Sequence, residues 1–169
     1  MKHAAGLILA VLVFAGPAAS QSDEILKLKE RIIEIQNLGE LGFRNFGLCS
    51  KINGFSSYAP LEKNVVGKSG QLLVYYEPQN VFTAKKAGLY EVWYAQDMAL
   101  LKPSGETLQE WPDILDFHYT TKTPVMDLFA QNSLDLGGQL AAGAYKFKAV
   151  LKDKLSGKTA IQVVDFEVR

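Results

Sequence analysis

Outside the N-terminal stretch that holds His3, the 169-residue chain has a single histidine, His118. Asp116 stands two positions before it, which on a β-strand puts both side chains on one face. Such a pair could act as a general base with an orienting carboxylate, but no Gly-x-Ser-x-Gly turn is present to hold up a nucleophile. One histidine, Cys49 and a methionine are too few ligands for a zinc or blue-copper centre. Glu110, Asp113, Asp116 and Asp127 lie near expected turns and strand ends, and glycoside hydrolysis would need two of them facing each other across a cleft. Asn132–Asp135 lacks the spacing of a calcium loop, and there is no phosphate loop or dinucleotide fingerprint. The expectation is a protein without catalytic residues, cofactor or metal.

Aromatic side chains offer another kind of chemistry. Trp93, Tyr94, Trp111, Phe117 and Tyr119 crowd the middle of the chain. A row of exposed rings on a sheet can hold sugars or a protein partner, and a carbohydrate-binding module using Trp93, Trp111 and Tyr119 is the alternative function. The competing reading is that most of these rings fill a core.

The elements that would position these groups follow from periodicity. In Leu140–Arg169, Tyr145, Phe147, Ala149 and Leu151 alternate with Lys146, Lys148 and Lys152, the period-two pattern of a half-buried strand. Asp153–Lys158 is a turn in which Gly157 can take positive φ, and Val164, Phe166 and Val168 resume the alternation. A hairpin of this kind needs a second sheet to cover its apolar face. Leu48–Pro60, Gly70–Glu77, Leu89–Leu101, Glu106–Trp111, Phe117–Thr121 and Val125–Leu136 supply further strands, about seven in all. Gly70–Glu77 is apolar on both faces, so its outer side requires a cover, for which the N-terminal helix is a candidate.

That helix is the one strong helical signal, Ser22–Leu38, stopped by Gly39 and Gly42. Ile25, Leu28, Ile32 and Ile35 recur at three- and four-residue steps and form a possible helix interface, with Leu26 and Ile33 widening the stripe. Lys27, Lys29, Glu30, Arg31 and Glu34 are expected on the wet side. The heptad spacing lasts about two repeats, short of a free-standing coiled coil. The stripe should lie on its own domain or on a partner.

Met1–Ser20 reads as a secretory signal peptide: Lys2 and His3, an apolar run from Ala4 to Phe14, then small residues Ala18 and Ser20 before the cut. The organisation expected is 1–20 signal peptide, 21–42 helix and linker, and 47–169 β-sandwich, in the periplasm or secreted. The chain has 18 basic and 18 acidic residues, and the leader takes one base, Lys2, and no acid. A near-neutral charge gives no electrostatic footprint for nucleic acid or anionic lipid. With the leader gone, no membrane span is expected.

Leu140-Ala-Ala-Gly143-Ala-Tyr145, followed by Lys152–Ala160, resembles the terminal hairpin of bacterial immunoglobulin-like sandwich domains. The resemblance implies an all-β, antiparallel two-sheet fold in which Tyr145 is a corner tyrosine bonded to nearby backbone. More narrowly, Cys49, Gly54, Phe55, Tyr58 and Pro60, then Gly70, Leu73, Tyr75 and Glu77, resemble segments shared by a group of small exported bacterial proteins of unknown function. No cysteine pair joins the sheets as in antibody domains, and the family carries no activity to transfer. The function expected is protein–protein interaction in the envelope or outside the cell. The partner would be another envelope or secreted protein, a second copy included, with a glycan as the alternative ligand.

Cys49, the sole cysteine, could pair between chains or react, but burial is the commoner fate of a free thiol. Cys49→Ser should therefore leave migration on non-reducing gels unchanged; a covalent dimer present only in the parent would contradict this.

Overall fold

A computed structural model gives the structure of residues 18–68, 70–138 and 140–169, with side chains from residue 21 onward. The expected signal peptide falls almost wholly outside the described residues. The elements are α1 (Ala18–Leu38), β1 (Gly42–Gly54), β2 (Ser57–Pro60), β3 (Val65–Val66), β4 (Gln71–Gln79), β5 (Thr83–Lys86), β6 (Leu89–Leu101), β7 (Thr107–Thr121), β8 (Ala130–Asp135), β9 (Gly143–Asp153) and β10 (Thr159–Val168). They form two sheets, one ordered β2-β1-β4-β8 and the other β3-β10-β9-β6-β5, with β7 also on β6. In chain order, β1-β4-β8 and β10-β9-β6-β7 reproduce the A-B-E and G-F-C-C′ neighbours of an immunoglobulin-like sandwich. The fold is the expected all-β two-sheet sandwich with one N-terminal helix.

The terminal hairpin has the register its alternation requires. β9 and β10 pair from Thr159↔Lys152 to Val168↔Gly143. Phe147, Ala149 and Leu151 are fully buried while their lysine neighbours keep partial contact with water. Gly157 takes φ 75° in the turn. The Tyr145 hydroxyl donates to the Ala141 carbonyl at 3.0 Å, the corner bond that the resemblance implies.

Leu72 and Val74 on β4 meet Phe147 and Ala149 in one core cluster, and Tyr76 meets Tyr94 and Leu151 in a second. Phe43 and Phe46 on β1 pack against both. A polar bridge crosses this interior: the Tyr76 hydroxyl donates to Gln96 Oε1 at 2.5 Å, and Gln96 Nε2 donates to Asn132 Oδ1 at 3.1 Å. Burial pushes the Tyr76 phenol far up, so it remains a neutral donor.

Several expectations need correction. The described residues hold ten strands rather than about seven, because β2, β3 and β5 are too short to show a pattern. The sandwich starts at Gly42, and buried Leu41 already belongs to its core. The segments expected at Glu106–Trp111 and Phe117–Thr121 belong, from Thr107 on, to one strand, β7. Its register slips where Asp97 alone faces Pro112, Asp113 and Ile114, with Asp113 at φ 45°. Asp97 accepts the Asp113 amide at 2.7 Å, and Lys152 reaches Asp97 at 2.6 Å and Asp113 at 2.7 Å. The strand expected over Gly70–Glu77 runs on through Pro78 to Gln79, since β4 there has only β1 beside it. The outer face of β4 is covered by aromatic rings rather than by α1: Tyr75 stacks on Tyr58 at 4.1 Å and on Phe129 at 6.0 Å.

Phe147→Ala should cost about 3–5 kcal/mol in denaturant melts, and Lys148→Ala no more than about 0.5. Equal small losses would mean that the hairpin is one residue out of register.

Candidate functional site

Two side chains set the attitude of α1 on the sandwich. The free edge of β5 would expose unpaired backbone groups, and α1 lies along it. Asn37 Nδ2 donates to the Thr83 carbonyl at 3.0 Å, while the Thr83 amide donates to Asn37 Oδ1 at 2.9 Å. The side-chain amide thus pairs with Thr83 as a neighbouring strand would. Two turns upstream, Glu30 accepts from Lys85 Nζ at 2.6 Å and from the Tyr90 hydroxyl. The Lys85 bond, then the Tyr90 bond, holds the Glu30 carboxyl below the usual carboxylate range, and the same contact raises Lys85 and Tyr90. Ile33, between these anchors, is the buried apolar residue of the helix.

The exit of the helix is pinned as well. Lys158 Nζ donates to the Gly39 carbonyl at 2.7 Å, and Asn80 Nδ2 to that of Glu40 at 2.8 Å. A Cβ at Gly39 would come within 2.5 Å of the Asn80 amide, so a larger residue here would displace the side chain that bonds Glu40.

Docked in this way, α1 turns its main apolar stripe outward. Ile25, Leu28, Ile32 and Ile35 are 55%, 57%, 45% and 60% exposed. The expectation that the stripe could lie on its own domain is corrected: Leu26, Ile33, Glu30 and Asn37 take that side. Glu30, expected in water, is an anchor instead. Sequence periodicity could not find Asn37 or Glu30, because their partners are 46 and 55 residues away.

The other predicted residues are scattered. Trp93 stacks on His118 with ring centroids 4.5 Å apart, while Tyr119 stacks on Phe117, which in turn stacks on the buried ring of Tyr94. Trp93 and Tyr119 therefore lie on opposite faces of the sheet, since Tyr94 points into the core. Trp111 packs against the core, and its partner on β6, Met98, is six residues from Val92, the partner of Tyr119, which puts the two rings roughly 20 Å apart along the sheet. The three rings do not form one sugar-binding platform.

His118 and Asp116 do not engage each other either. His118 Nε2 lies 2.7 Å from Glu91 Oε1, and Asp116 accepts the Trp93 indole N–H at 2.7 Å. Asp113 is held below the usual range by its bond to Lys152 and serves the bulge. Cys49 is buried, and burial raises its thiol.

No protein-family model matches the chain, and no curated protein matches it in sequence. Among solved structures it is similar to an alkylpurine DNA glycosylase of Pseudomonas fluorescens bound to DNA containing an abasic site analog, with a TM-score of 0.46 and 9% identity. That match covers 86% of this chain and 35% of the glycosylase chain, so this chain spans about a third of it. It is also similar to an immunoglobulin-like protein of Pseudomonas aeruginosa, with a TM-score of 0.39 and 10% identity over 78% of this chain and 98% of that one. Both scores are low, and no chemistry passes from either protein to this chain.

Asn37→Ala should loosen α1 while leaving the sandwich folded, because it leaves the Thr83 amide without its acceptor. Hydrogen exchange should speed up across Leu26–Leu38 and at Thr83 but not in β9. Unchanged protection of α1 would show that Asn37 is not what holds it.

Proposed function

We propose that this chain is a non-enzymatic, exported β-sandwich protein that docks another envelope or secreted protein through Ile25, Leu28, Ile32 and Ile35. The observation that carries the reading is the outward stripe itself: four aliphatic side chains in a row, each about half exposed, on a helix already fixed by its other side. Single exposed apolar residues are ordinary on a protein surface, whereas a contiguous row on a rigid element is the form of a binding site. Export is supported by the leader-like composition of Met1–Ser20. The absence of catalysis is supported by His118 and Asp116 having separate structural partners. The resemblance to small exported bacterial proteins agrees with the same setting.

The test is crosslinking of the tagged protein in its native cells, followed by mass spectrometry, in the parent and in an Ile25→Asp/Ile32→Asp variant. Neither side chain belongs to the core, so the variant should melt within a few degrees of the parent. A partner captured by the parent and lost in the variant is the expected result. Equal capture by both would remove the helix from the function.

A further inference from the structure

Heptad positions assigned along α1 show that the outward stripe is a seam. With Ile25 at a, Leu28 is d, Ile32 is a and Ile35 is d. The residues that face the sandwich, Leu26 and Ile33 at b and Glu30 and Asn37 at f, are those farthest from an a/d seam. The domain therefore sits behind the helix, and the seam faces away from it except along the e side, where Lys29, Ile32 and Gln36 border a groove walled by Arg44, Pro78 and residues 126–128. Two heptads are too short to hold a free helix pair together, but this helix is ordered before any partner arrives, which lowers the cost of pairing.

Charge at the flanking positions discriminates between partners. Glu24 is at g and Lys29 at the following e, the pair of positions that meet across a parallel two-helix seam. Neither is engaged in an ion pair within its own chain among the described residues. Arg31, the other g residue, would meet neutral Gln36 of the second helix. An antiparallel seam over the same four residues would instead set Lys29 against Lys29 and Arg31 against Arg31. The pattern is self-complementary in one orientation and repulsive in the other.

We infer that the stripe is occupied by a second copy of this chain, paired through a parallel a/d seam with reciprocal Glu24–Lys29 bridges. This deepens the docking reading and rests on it. Ile25 at a with Leu28 at d is the combination that favours two strands, and Ile35 at the second d position is the exception to it.

The test uses the mature chain in analytical ultracentrifugation at low salt. A dimer is expected, reduced to monomer by Ile25→Asp/Ile32→Asp. Lys29→Glu alone should weaken it several-fold by placing like charges across the seam, and Glu24→Lys/Lys29→Glu should restore it. A dimer indifferent to the stripe variant, or a Lys29→Glu loss not rescued by the double reversal, would overturn the proposal. A monomeric parent would overturn it too. If the same stripe variant still lost a different protein in the crosslinking experiment, docking through the helix would survive and only self-pairing would fail.

Discussion

Phe147, Ala149 and Leu151 on β9 are buried against Leu72, Val74 and Tyr76 on β4, and neither row can leave water without the other. This mutual cover is the demand around which the chain is arranged, because an amphipathic hairpin is not stable alone. It also makes the Tyr76–Gln96–Asn132 bridge possible, since these side chains reach across a gap that only the paired sheets create. Within the core the bridge costs little because its members satisfy one another. It favours one alignment of the sheets, since a shift would leave buried polar groups unpaired.

The same requirement for paired backbone explains the place of α1. A sandwich has edges, and β5 is a short one whose outward groups need a partner. Asn37 supplies an amide of the right shape, and Glu30 adds a charged contact to Lys85 and Tyr90. Once these two residues are fixed, the roll of the helix is fixed, and Ile25, Leu28, Ile32 and Ile35 face outward as a consequence. The protein covers a polar edge and leaves an apolar stripe open. The proposed partner on that stripe would cover it.

Side chains that could in principle do chemistry are engaged in building the molecule. The Asp153 carboxylate takes the backbone amides of Phe82, Leu155 and Ser156, joining the terminal turn to the start of β5. Glu77 is buried, which raises its pKa, but hydrogen bonds from Asn45, Tyr75 and Arg44 outweigh this and keep it ionised. Asp97 and Asp113 share Lys152 at the bulge of β7. Each of these carboxylates is held in place by fixed neighbours from other parts of the chain.

Period-two alternation in Gly143–Asp153 and Thr159–Val168 was enough to establish the terminal hairpin, its register and the need for a facing sheet, because burial acts on every second residue of a strand wherever it lies. The three- and four-residue spacing of Ile25 to Ile35 likewise established a helix with an apolar stripe. Local patterns did not reveal that β7 runs unbroken past Pro112, since the bulge is held by Asp97 and Lys152 from other strands. Nor did they reveal which side of α1 the sandwich takes, because Leu26 and Ile33 give the helix a second, smaller apolar side. The tertiary structure decided that through Thr83, Lys85 and Tyr90, whose distance along the chain leaves no periodic trace in the helix they hold.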